Sequence, residues 1–426
     1  MIETDLLVVG AGPAGSSAAK AAAERGLDVL VLEARPQIGV PVRCGELVPS
    51  LQEILEMFPR LRGAEELFGD AGGLVRREVD SIRLVDPKGK EYRFPFTGYT
   101  TDRDRFDQHW AALAEEAGAG ILKGCRFLGL RDGIAETSGE EVTFKAIVGA
   151  DGPKSRTARA LGLPANENCY PAVSAQAEGD FGSAIQMFFG SIAPGAYGWI
   201  IPKDGTANVG VGLSPKFSEG SLPEQFWKFA ADHGLKVVSS MKGKYVPSEG
   251  PVARTVAGNG MLAGDAAGVV MSVNGGGIPQ ALITGRMAGD AAYEFVRNGR
   301  SLGNYEKGWR EALYKPLKTA AGNKRLADAF AFRSDRSTSA CMAILGTRRM
   351  GKLIRCKRIL PRAAQTRRTP VRDRLFRLLG HPLRRCAFRT ARGDPRRGIP
   401  NVLPYCHLIF PCNPLVACPR DLCRSI

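Results

Sequence analysis

The feature that most constrains the fold is a glycine-rich turn near the N-terminus. Residues 5–10 form an apolar segment typical of a buried parallel strand, and a run of small residues up to Arg25 predicts a helix packed closely on a sheet. Residues 28–33 predict a second short strand. The glycines between strand and helix follow the pattern Gly-x-Gly-x-x-Gly, so the segment predicts a βαβ unit that binds a dinucleotide.

Each motif residue has a physical role in such a unit. Gly10 makes the tight turn, Gly12 lets the backbone approach a pyrophosphate, and Gly15 permits close packing of helix on strand. The helix N-terminus offers free N–H groups to the phosphates. Glu33, 18 residues after Gly15, is placed to accept hydrogen bonds from a ribose. A purely structural glycine turn is the alternative, and the strand–helix–strand context favours dinucleotide binding.

Two later segments identify the dinucleotide. One strand-like run ends in Asp151-Gly152, and another ends at Gly264-Asp265 and continues through a glycine run into an apparent helix. The three motifs in this order resemble the FAD-dependent reductase/hydroxylase superfamily. The resemblance implies that Asp265 binds the FAD ribityl chain and that Gly277 and Ile278 bring a helix N-terminus to the flavin ring, where a positive dipole end stabilises reduced flavin. A helix cap is the alternative role for Asp265.

An arginine before the helix predicted from His109 is a further candidate. In the same superfamily an arginine at this place contacts FAD, which implies that role for Arg103, in preference to Arg105. The alternative is a solvated charge cluster that caps the helix.

Two more motifs narrow the family. Residues 41–46 read Pro-Val-Arg-Cys-Gly-Glu, and residues 197–203 read Tyr-Gly-Trp-Ile-Ile-Pro-Lys, followed by Asn-Val-Gly-Val-Gly at 208–212. Over residues 1–340 the chain resembles the geranylgeranyl reductase family, most closely its archaeal branch. The resemblance implies an antiparallel sheet over a lipid tunnel, with Tyr197 and Trp199 in its wall, and a flavin-facing loop around Cys44 and Gly45. By family spacing, FAD is also expected to touch, largely through backbone, Ala14, Leu47 and Phe127.

The residues themselves agree with that sheet. Residues 184–189, 197–202 and 208–213 are strand-like and are separated by turns, as in an antiparallel meander. Tyr197 and Trp199 supply the apolar surface that a prenyl chain needs. An ordinary sheet core is the alternative for each aromatic residue singly.

The expected reaction is saturation of carbon–carbon double bonds in geranylgeranyl chains of a prenylated glycerophospholipid precursor, with hydride from reduced FAD. Cys44 is the candidate proton donor; it otherwise shapes the pocket or is a small buried hydrophobe. One dinucleotide motif is present, so the electron donor is expected to be external: NADPH, a reduced deazaflavin or a ferredoxin. The alternatives are an FAD monooxygenase of the same fold and a quinone-linked electron-transfer flavoprotein.

The predicted fold class is α/β: a doubly wound, Rossmann-like FAD-binding domain with an inserted antiparallel β-sheet substrate domain and a C-terminal helical region. The FAD-binding domain is assigned to residues 1–165, including a hairpin-like insertion at 80–100, and to 251–300. The substrate domain takes 166–250, the helical region 301–340, and an atypical tail 341–426.

The tail carries the whole charge excess of the chain. Residues 341–426 hold 20 Lys and Arg against 3 Asp and no Glu, whereas the formal net charge of the entire chain is +16. Three interpretations stay open: a shifted reading frame, a membrane-docking segment, and a metal site of the residues Cys406, His407, Cys412, Cys418 and Cys423. The last is the least favoured, because the spacing lacks Cys-x-x-Cys pairs, and no metal is expected.

The near-neutral body gives no reason to expect a nucleic-acid partner. Three cysteines in the first 340 residues indicate a reducing compartment rather than a disulfide framework. The acidic start and the lack of an 18-residue apolar run predict neither a signal peptide nor a membrane span. We therefore expect a cytoplasmic protein, with peripheral contact on the inner face of the cell membrane left open.

Overall fold

The computed structural model describes residues 1–68, 72–218 and 220–359. In chain order the strands are β1 (Ile2–Val9), β2 (Val29–Glu33), β3 (Leu47–Pro49), β4 (Arg77–Val85), β5 (Glu91–Thr100), β6 (Gly120–Lys123), β7 (Phe127–Arg131), β8 (Ile134–Thr137), β9 (Val142–Gly149), β10 (Cys169–Glu178), β11 (Ala184–Phe188), β12 (Gly198–Pro202), β13 (Thr206–Gly212), β14 (Lys236–Val237), β15 (Lys242–Pro247), β16 (Val256–Ala257) and β17 (Gly260–Leu262). The α-helices are α1 (Pro13–Glu24), α2 (Leu51–Met57), α3 (Glu65–Phe68), α4 (Arg103–Glu116), α5 (Arg156–Ala160), α6 (Leu222–Asp232), α7 (Ile278–Asn298), α8 (Gly303–Trp309), α9 (Lys315–Phe330) and α10 (Asp335–Ile354).

Sheet A is the predicted doubly wound sheet. Its strands lie in the order β16-β17-β9-β1-β2-β6, and the β7–β8 hairpin joins it through β9. β1 runs parallel to both β2 and β9, which explains why its second half is a continuous buried apolar run. The chain therefore passes through β1, α1 and β2 as the glycine motif predicts.

Helices α1 and α7 pack against each other with almost no side chain between them. A Cβ atom added at Gly285 of α7 would lie 2.1 Å from the carbonyl oxygen of Ala14, and one at Gly289 would lie 2.3 Å from that of Ala18. The small residues of both helices are thus required by the contact. This contact holds the glycine turn beside the segment that precedes α7.

Sheet B is the second sheet and contains the predicted meander. Its order is β14-β10-β13-β12-β11-β4-β5-β3, with β15 also paired to β10. Strands β11, β12 and β13 pair antiparallel within one or two residues of the predicted bounds. The inserted sheet is not wholly antiparallel, because β4 runs parallel to β11.

The hairpin expected at residues 80–100 exists, but its assignment to the FAD-binding domain is corrected. β4 and β5 do pair antiparallel, and β4 then pairs with β11 of sheet B. Ile82 and Phe94 of the hairpin pack with Ile185 and Met187 in one buried cluster. The hairpin pairs with sheet B and shares its buried cluster, which decides where it lies.

The boundary expected at residue 341 is also corrected. α8 and α9 confirm the predicted helical region, but α10 begins at Asp335 and ends at Ile354, across that boundary. Met342, Met350 and Ile354 pack on sheet B. The basic residues of this part, Arg348, Arg349 and Lys352, are exposed while its methionines are buried, so residues 341–354 are part of the folded body. The remainder of the tail, from residue 360, lies outside the described residues.

Among the described residues, no helix combines the length and the apolar character needed to cross a bilayer.

Candidate functional site

The glycine turn (residues 10–15) joins β1 to α1 and has one open position. Gly10 has a φ of +101°, and a Cβ there would lie 2.6 Å from the carbonyl oxygen of Ala150. A Cβ at Gly15 would lie 1.7 Å from the carbonyl oxygen of Gly10. A Cβ at Gly12 would meet no protein atom within 4 Å. Gly12 is the N-cap of α1, so the free N–H groups of the helix face this open space.

Glu33 lies at the end of β2, next to the glycine turn. One of its carboxylate oxygens accepts a hydrogen bond from the N–H of Ala11 at 2.9 Å, and the other accepts one from the N–H of Arg35 at 2.9 Å. Phe127 begins β7 nearby, and its side chain is buried with Leu32 in the core of sheet A. A ligand at this edge therefore meets the Glu33 carboxylate and only the backbone of Phe127.

The second glycine segment lies against the first. Asp265 belongs to a short 3₁₀ turn (Gly264–Ala267), and a Cβ at Gly264 would lie 2.8 Å from that of Ala14. Gly277 is the N-cap of α7, and a Cβ there would lie 3.2 Å from Oδ1 of Asp265. The predicted residues Ala14, Asp265, Gly277 and Ile278 thus lie at the adjoining N-termini of α1 and α7.

These residues fit a flavin dinucleotide. Gly12 leaves space for phosphate at one helix N-terminus, and the N-terminus of α7 offers a second positive dipole end for a flavin ring. Gln280, in the first turn of α7, is fully buried, and within the described structure its side-chain nitrogen and oxygen have no hydrogen-bond partner. Both atoms are inaccessible even to water, so they are not part of the surface that a ligand contacts, and the fit to a dinucleotide rests on Gly12 and the two helix N-termini.

The Cys44 loop (residues 43–47) connects this region to sheet B through Glu46. Glu46 is 1% exposed and has a φ of +63°, an uncommon conformation for a residue with a side chain. Its carboxylate accepts hydrogen bonds from Lys203 at 3.2 and 3.3 Å and from the amides of Asn208 at 2.9 Å and Gln176 at 2.7 Å. The backbone N–H of Arg103 donates a further one at 3.2 Å. The loop is therefore held in a strained shape by buried charge pairing.

We refer to the Glu46 cluster as the side chains Glu46, Lys203, Asn208, Gln176 and Asp102. Lys203 is 5% exposed and also forms an ion pair with Asp102. Asn208 donates to the carbonyl oxygen of Cys44 at 2.8 Å and accepts from the indole N–H of Trp199 at 2.8 Å. The cluster thus fixes Cys44 and Trp199 relative to each other.

Sequence reasoning missed the cluster as a functional unit. Lys203 and Asn208 flank the turn between two strongly apolar strands, and Glu46 follows the Cys-Gly pair. The sequence signal for a buried polar cluster was the occurrence of charged or amide side chains beside apolar strands. Their pairing was not visible, because Glu46 and Lys203 are 157 residues apart in the chain.

Arg103 starts α4 and lies inside, whereas Arg105 is exposed. The guanidinium group of Arg103 donates hydrogen bonds to both carboxylate oxygens of Asp107, at 2.7 and 3.0 Å. Burial acts to lower the pKa of Arg103, but the Asp107 carboxylate raises it above its ordinary value, so the group stays charged. Burial raises the pKa of Asp107, and Arg103 opposes that shift. The arginine is a fixed positive charge next to Cys44.

A large cavity lies between the Cys44 loop, sheet B and the N-terminus of α7. Its volume is about 1460 Å³, including space that is open to solvent. Several predicted residues line it: Cys44, Gly45, Leu47, Tyr197, Trp199, Gly277 and Ile278. Its inner walls are apolar, with side chains that include Ile82, Phe96, Ile185, Met187 and Ile201. Gly10, Gly12, Glu33 and Phe127 lie instead at the other end of the site, around the glycine turn.

Tyr197 and Trp199 form a fixed part of the cavity wall. Their ring centroids are 5.9 Å apart at an interplanar angle of 60°, and the Tyr197 hydroxyl donates to the carbonyl oxygen of Asn274. Burial raises the pKa of Tyr197, so its hydroxyl stays protonated. Both polar groups of the pair are occupied by protein partners, and the Trp199 ring packs on Gly210, so an apolar ligand meets the remaining ring surface.

In the described part of the chain, no group of three His, Cys, Asp or Glu residues is arranged to hold a metal ion. The candidate metal residues of the tail, which are Cys406, His407, Cys412, Cys418 and Cys423, lie outside the described residues.

Two family models match the chain. A model of an NAD(P)-binding Rossmann-like domain matches residues 8–53, and a model of the geranylgeranyl reductase catalytic domain matches residues 166–243. The first covers the glycine turn and the Cys44 loop, and the second covers strands β10 to β14 of sheet B.

Several named relatives match over most of their length. Digeranylgeranylglycerophospholipid reductase 2 of Methanosphaera stadtmanae is 34% identical over 329 residues, which are 70% of this chain and 80% of that protein. Digeranylgeranylglycerophospholipid reductase of Methanocaldococcus jannaschii is 33% identical over 345 residues, 74% of this chain and 84% of that protein.

Solved structures share the fold. A geranylgeranyl bacteriochlorophyll reductase-like protein of Thermoplasma acidophilum superposes with a TM-score of 0.70 at 26% identity, over 88% of this chain and 96% of that one. Aklavinone-11 hydroxylase in complex with FAD and aklavinone gives a TM-score of 0.59 at 21% identity, over 75% and 68% of the chains, which shows a common fold alone.

Proposed function

The chain belongs to the digeranylgeranylglycerophospholipid reductase family, and on that premise we propose that it is an FAD-dependent reductase of geranylgeranyl lipids. Its substrate is a glycerophospholipid precursor, and the reaction saturates carbon–carbon double bonds of the prenyl chains. The observation that carries the proposal is the continuity of one apolar cavity with the N-terminus of α7 and the Cys44 loop. A long hydrocarbon chain binds there by apolar burial.

The cofactor is held from both glycine segments. Gly10, Gly12, Ala14 and Gly15 present the N-terminus of α1 to the pyrophosphate, and Glu33 takes the adenosine ribose. At the other end, the residues that contact the ribityl chain and the flavin ring are Asp265, Gly277, Ile278, Gly45, Leu47 and Arg103. Phe127 contributes its backbone at the ribose end.

When bound and reduced, FAD supplies a hydride to one carbon of the double bond. The second carbon needs a proton, and Cys44 is the proposed donor because its side chain lies on the cavity wall beside the glycine run before α7. The Cys44 sulfur accepts a hydrogen bond from the N–H of Glu46 at 3.2 Å, which orients the side chain. Tyr197 and Trp199 position the prenyl chain and exclude water from it.

The proposal is tested by anaerobic incubation of FAD-loaded, dithionite-reduced protein with digeranylgeranylglycerol phosphate. Mass analysis of the lipid should show gains of two hydrogens for each double bond. Lipid of unchanged mass, from protein that binds FAD and undergoes reduction and reoxidation, contradicts the proposed substrate class.

Two tryptophans provide a matched pair of variants. Trp199→Leu changes the cavity wall and should lower the rate of lipid reduction about tenfold or more, because prenyl positioning is lost. Trp227→Leu changes a side chain that is 53% exposed on α6 and should leave the rate unchanged. Equal rates for both variants contradict the placement of the substrate in this cavity.

The alternatives are distinguished when the reduced, FAD-loaded protein is given oxygen or a quinone together with the lipid. A monooxygenase consumes oxygen in step with hydroxylation of the lipid, and a quinone-linked electron-transfer flavoprotein passes electrons to a quinone while the lipid keeps its double bonds. Supplying NADPH, a reduced deazaflavin or a reduced ferredoxin in place of dithionite identifies the physiological donor. The cytoplasmic location and the peripheral membrane contact are likewise proposals.

A further inference from the structure

The two ends of the cavity differ in chemistry. Ile82, Ile185 and Met187 form buried walls, each at most 5% exposed. Arg43 and Lys242 also line the cavity, but both residues are exposed to solvent. We call these two residues the cavity mouth. A ligand that fills the cavity therefore meets apolar side chains inside and positive charge where the cavity opens.

The charges of the mouth have no acidic partner among the described residues. Lys242 and Lys244 alternate with Gly243 on β15, so both project from the same face of the strand. Lys244 forms an ion pair with Asp265 at 2.9 Å. By contrast, neither Arg43 nor Lys242 forms an ion pair with any residue of the ranges 1–68, 72–218 and 220–359. Unpaired cations beside a cavity are free to bind an anionic ligand.

Sheet topology separates the two ends. β15, which carries Lys242, pairs with β10 at one edge of sheet B. Going across the sheet, β10 is followed by β13, β12, β11 and β4, and β4 carries Ile82. Five strand spacings correspond to roughly 24 Å. Trp199 on β12 lies between these ends, and Cys44, which follows Arg43 in the chain, lies close to the mouth; both residues line the same cavity. The ligand that matches this layout has a long apolar chain with an anionic group at one end.

We propose that Arg43 and Lys242 bind the phosphate group of the lipid substrate, so that the enzyme prefers phosphorylated diether lipids to the corresponding alcohols. This inference rests on the proposed function, since it assigns one end of the same cavity. The phosphate at the mouth anchors the lipid and sets which double bonds along the chain reach the Cys44 loop. Arg43 and Lys242 act on affinity, while the Cys44 side chain acts on the reaction.

The test compares two lipids that differ only in the phosphate: digeranylgeranylglycerol phosphate and digeranylgeranylglycerol, each in non-ionic detergent. Binding is followed by the change in absorbance of the oxidised, FAD-loaded protein, so that it does not depend on turnover. The variants are Arg43→Ala, Lys242→Ala and the double variant. Lys236→Ala is the matched control, because Lys236 lies on the neighbouring edge strand β14, pairs with Glu178 and does not line the cavity.

We expect the double variant to bind the phosphorylated lipid about tenfold more weakly, while its affinity for the alcohol stays within about twofold of that of the unsubstituted protein. Raising the salt concentration should reduce the preference of the unsubstituted protein for phosphate. Equal losses for both lipids, or no loss for either, overturn the proposal. It is also overturned if the variants lose affinity for NADPH and keep their affinity for the phosphorylated lipid.

Failure of this inference is distinguishable from failure of the proposed function. Protein that reduces both lipids equally well, with no effect of the variants, contradicts the phosphate site alone. Protein that binds the phosphorylated lipid through the mouth residues but leaves its double bonds intact contradicts the reductase assignment alone.

Discussion

The glycine turn and the Glu46 cluster are two neighbouring parts of one site, and they are constructed in different ways. In the glycine turn, side chains are left out: Gly10 and Gly15 have no room for a Cβ, and Gly12 borders empty space. In the Glu46 cluster, charged side chains are buried against one another: Glu46 is 1% exposed and Lys203 5%. The first part depends on backbone shape and the second on electrostatic pairing, so they should respond differently to substitution.

The largest effect is expected from breaking the buried ion pair. Lys203→Met leaves the carboxylate of Glu46 buried with its cation removed, which should lower the free energy of unfolding by about 3–5 kcal/mol. Urea denaturation measures this loss in the free energy of unfolding. Glu46→Gln added to Lys203→Met should restore part of the loss, because the fully buried side chain at position 46 is then neutral.

A surface pair provides the control for that experiment. Lys236 and Glu178 form an ion pair whose side chains are 73% and 54% exposed, so Lys236→Met should cost less than about 1 kcal/mol. Similar losses for the Lys203 and Lys236 variants would show that the Glu46 cluster behaves as an ordinary surface pair, and the contrast between the two regions would not hold.

The glycine turn should show two separable effects. Gly15→Ala forces a Cβ to 1.7 Å from the carbonyl oxygen of Gly10, so the turn must shift and stability should fall by about 1–3 kcal/mol even without FAD. Gly12→Ala meets no protein atom and should leave the unfolding temperature of FAD-free protein almost unchanged, while it weakens FAD binding about tenfold or more because the methyl group enters the phosphate space. Thermal unfolding and FAD titration measure these outcomes.

The reverse pattern, with Gly12→Ala destabilising FAD-free protein and Gly15→Ala only weakening FAD binding, contradicts the assignment of the open position. Equal effects of both substitutions on both measurements contradict the separation of roles within the turn.

The smallest effect concerns a second buried lysine, which has fewer acidic partners than Lys203. Lys324 lies next to Asp328 and donates to the hydroxyl of Tyr170 at 2.8 Å. Burial lowers the pKa of Lys324 below its ordinary value of 10.5, and Asp328 only partly opposes that shift. Between its folded pKa and 10.5 the unfolded chain therefore binds more protons, and the contribution of Lys324 to stability rises with pH.

Lys324→Met should remove this rise. The free energy of unfolding of the unsubstituted protein and of Lys324→Met is measured near pH 7.5 and near pH 10. The change between the two pH values is then compared for the two proteins. If the change between the two pH values is the same with and without Lys324, burial does not disfavour its charge.

The sequence alone determined the parts of the protein that are local in the chain. The glycine turn, α1 and β2 lie within the first 33 residues, so their composition and spacing predict the dinucleotide end. The antiparallel strands β11 to β13 follow one another directly, and their alternation with turns could likewise be recognised in the sequence. Tyr197, Trp199 and Cys44 were identified by resemblance to a family, and the structure places all three on one cavity.

Only the tertiary structure decided the contacts between distant segments. The β4–β5 hairpin joins sheet B because β4 pairs with β11, which follows about 100 residues later in the chain. Helix α10 belongs to the folded body because Met342, Met350 and Ile354 cover that sheet. The Glu46–Lys203 pair likewise arises from chain segments that meet in space, as does the cavity mouth, whose cations lack an acidic partner in the described part of the chain. The physical reason is that burial and charge pairing depend on which surfaces come together, and local sequence patterns do not contain that information.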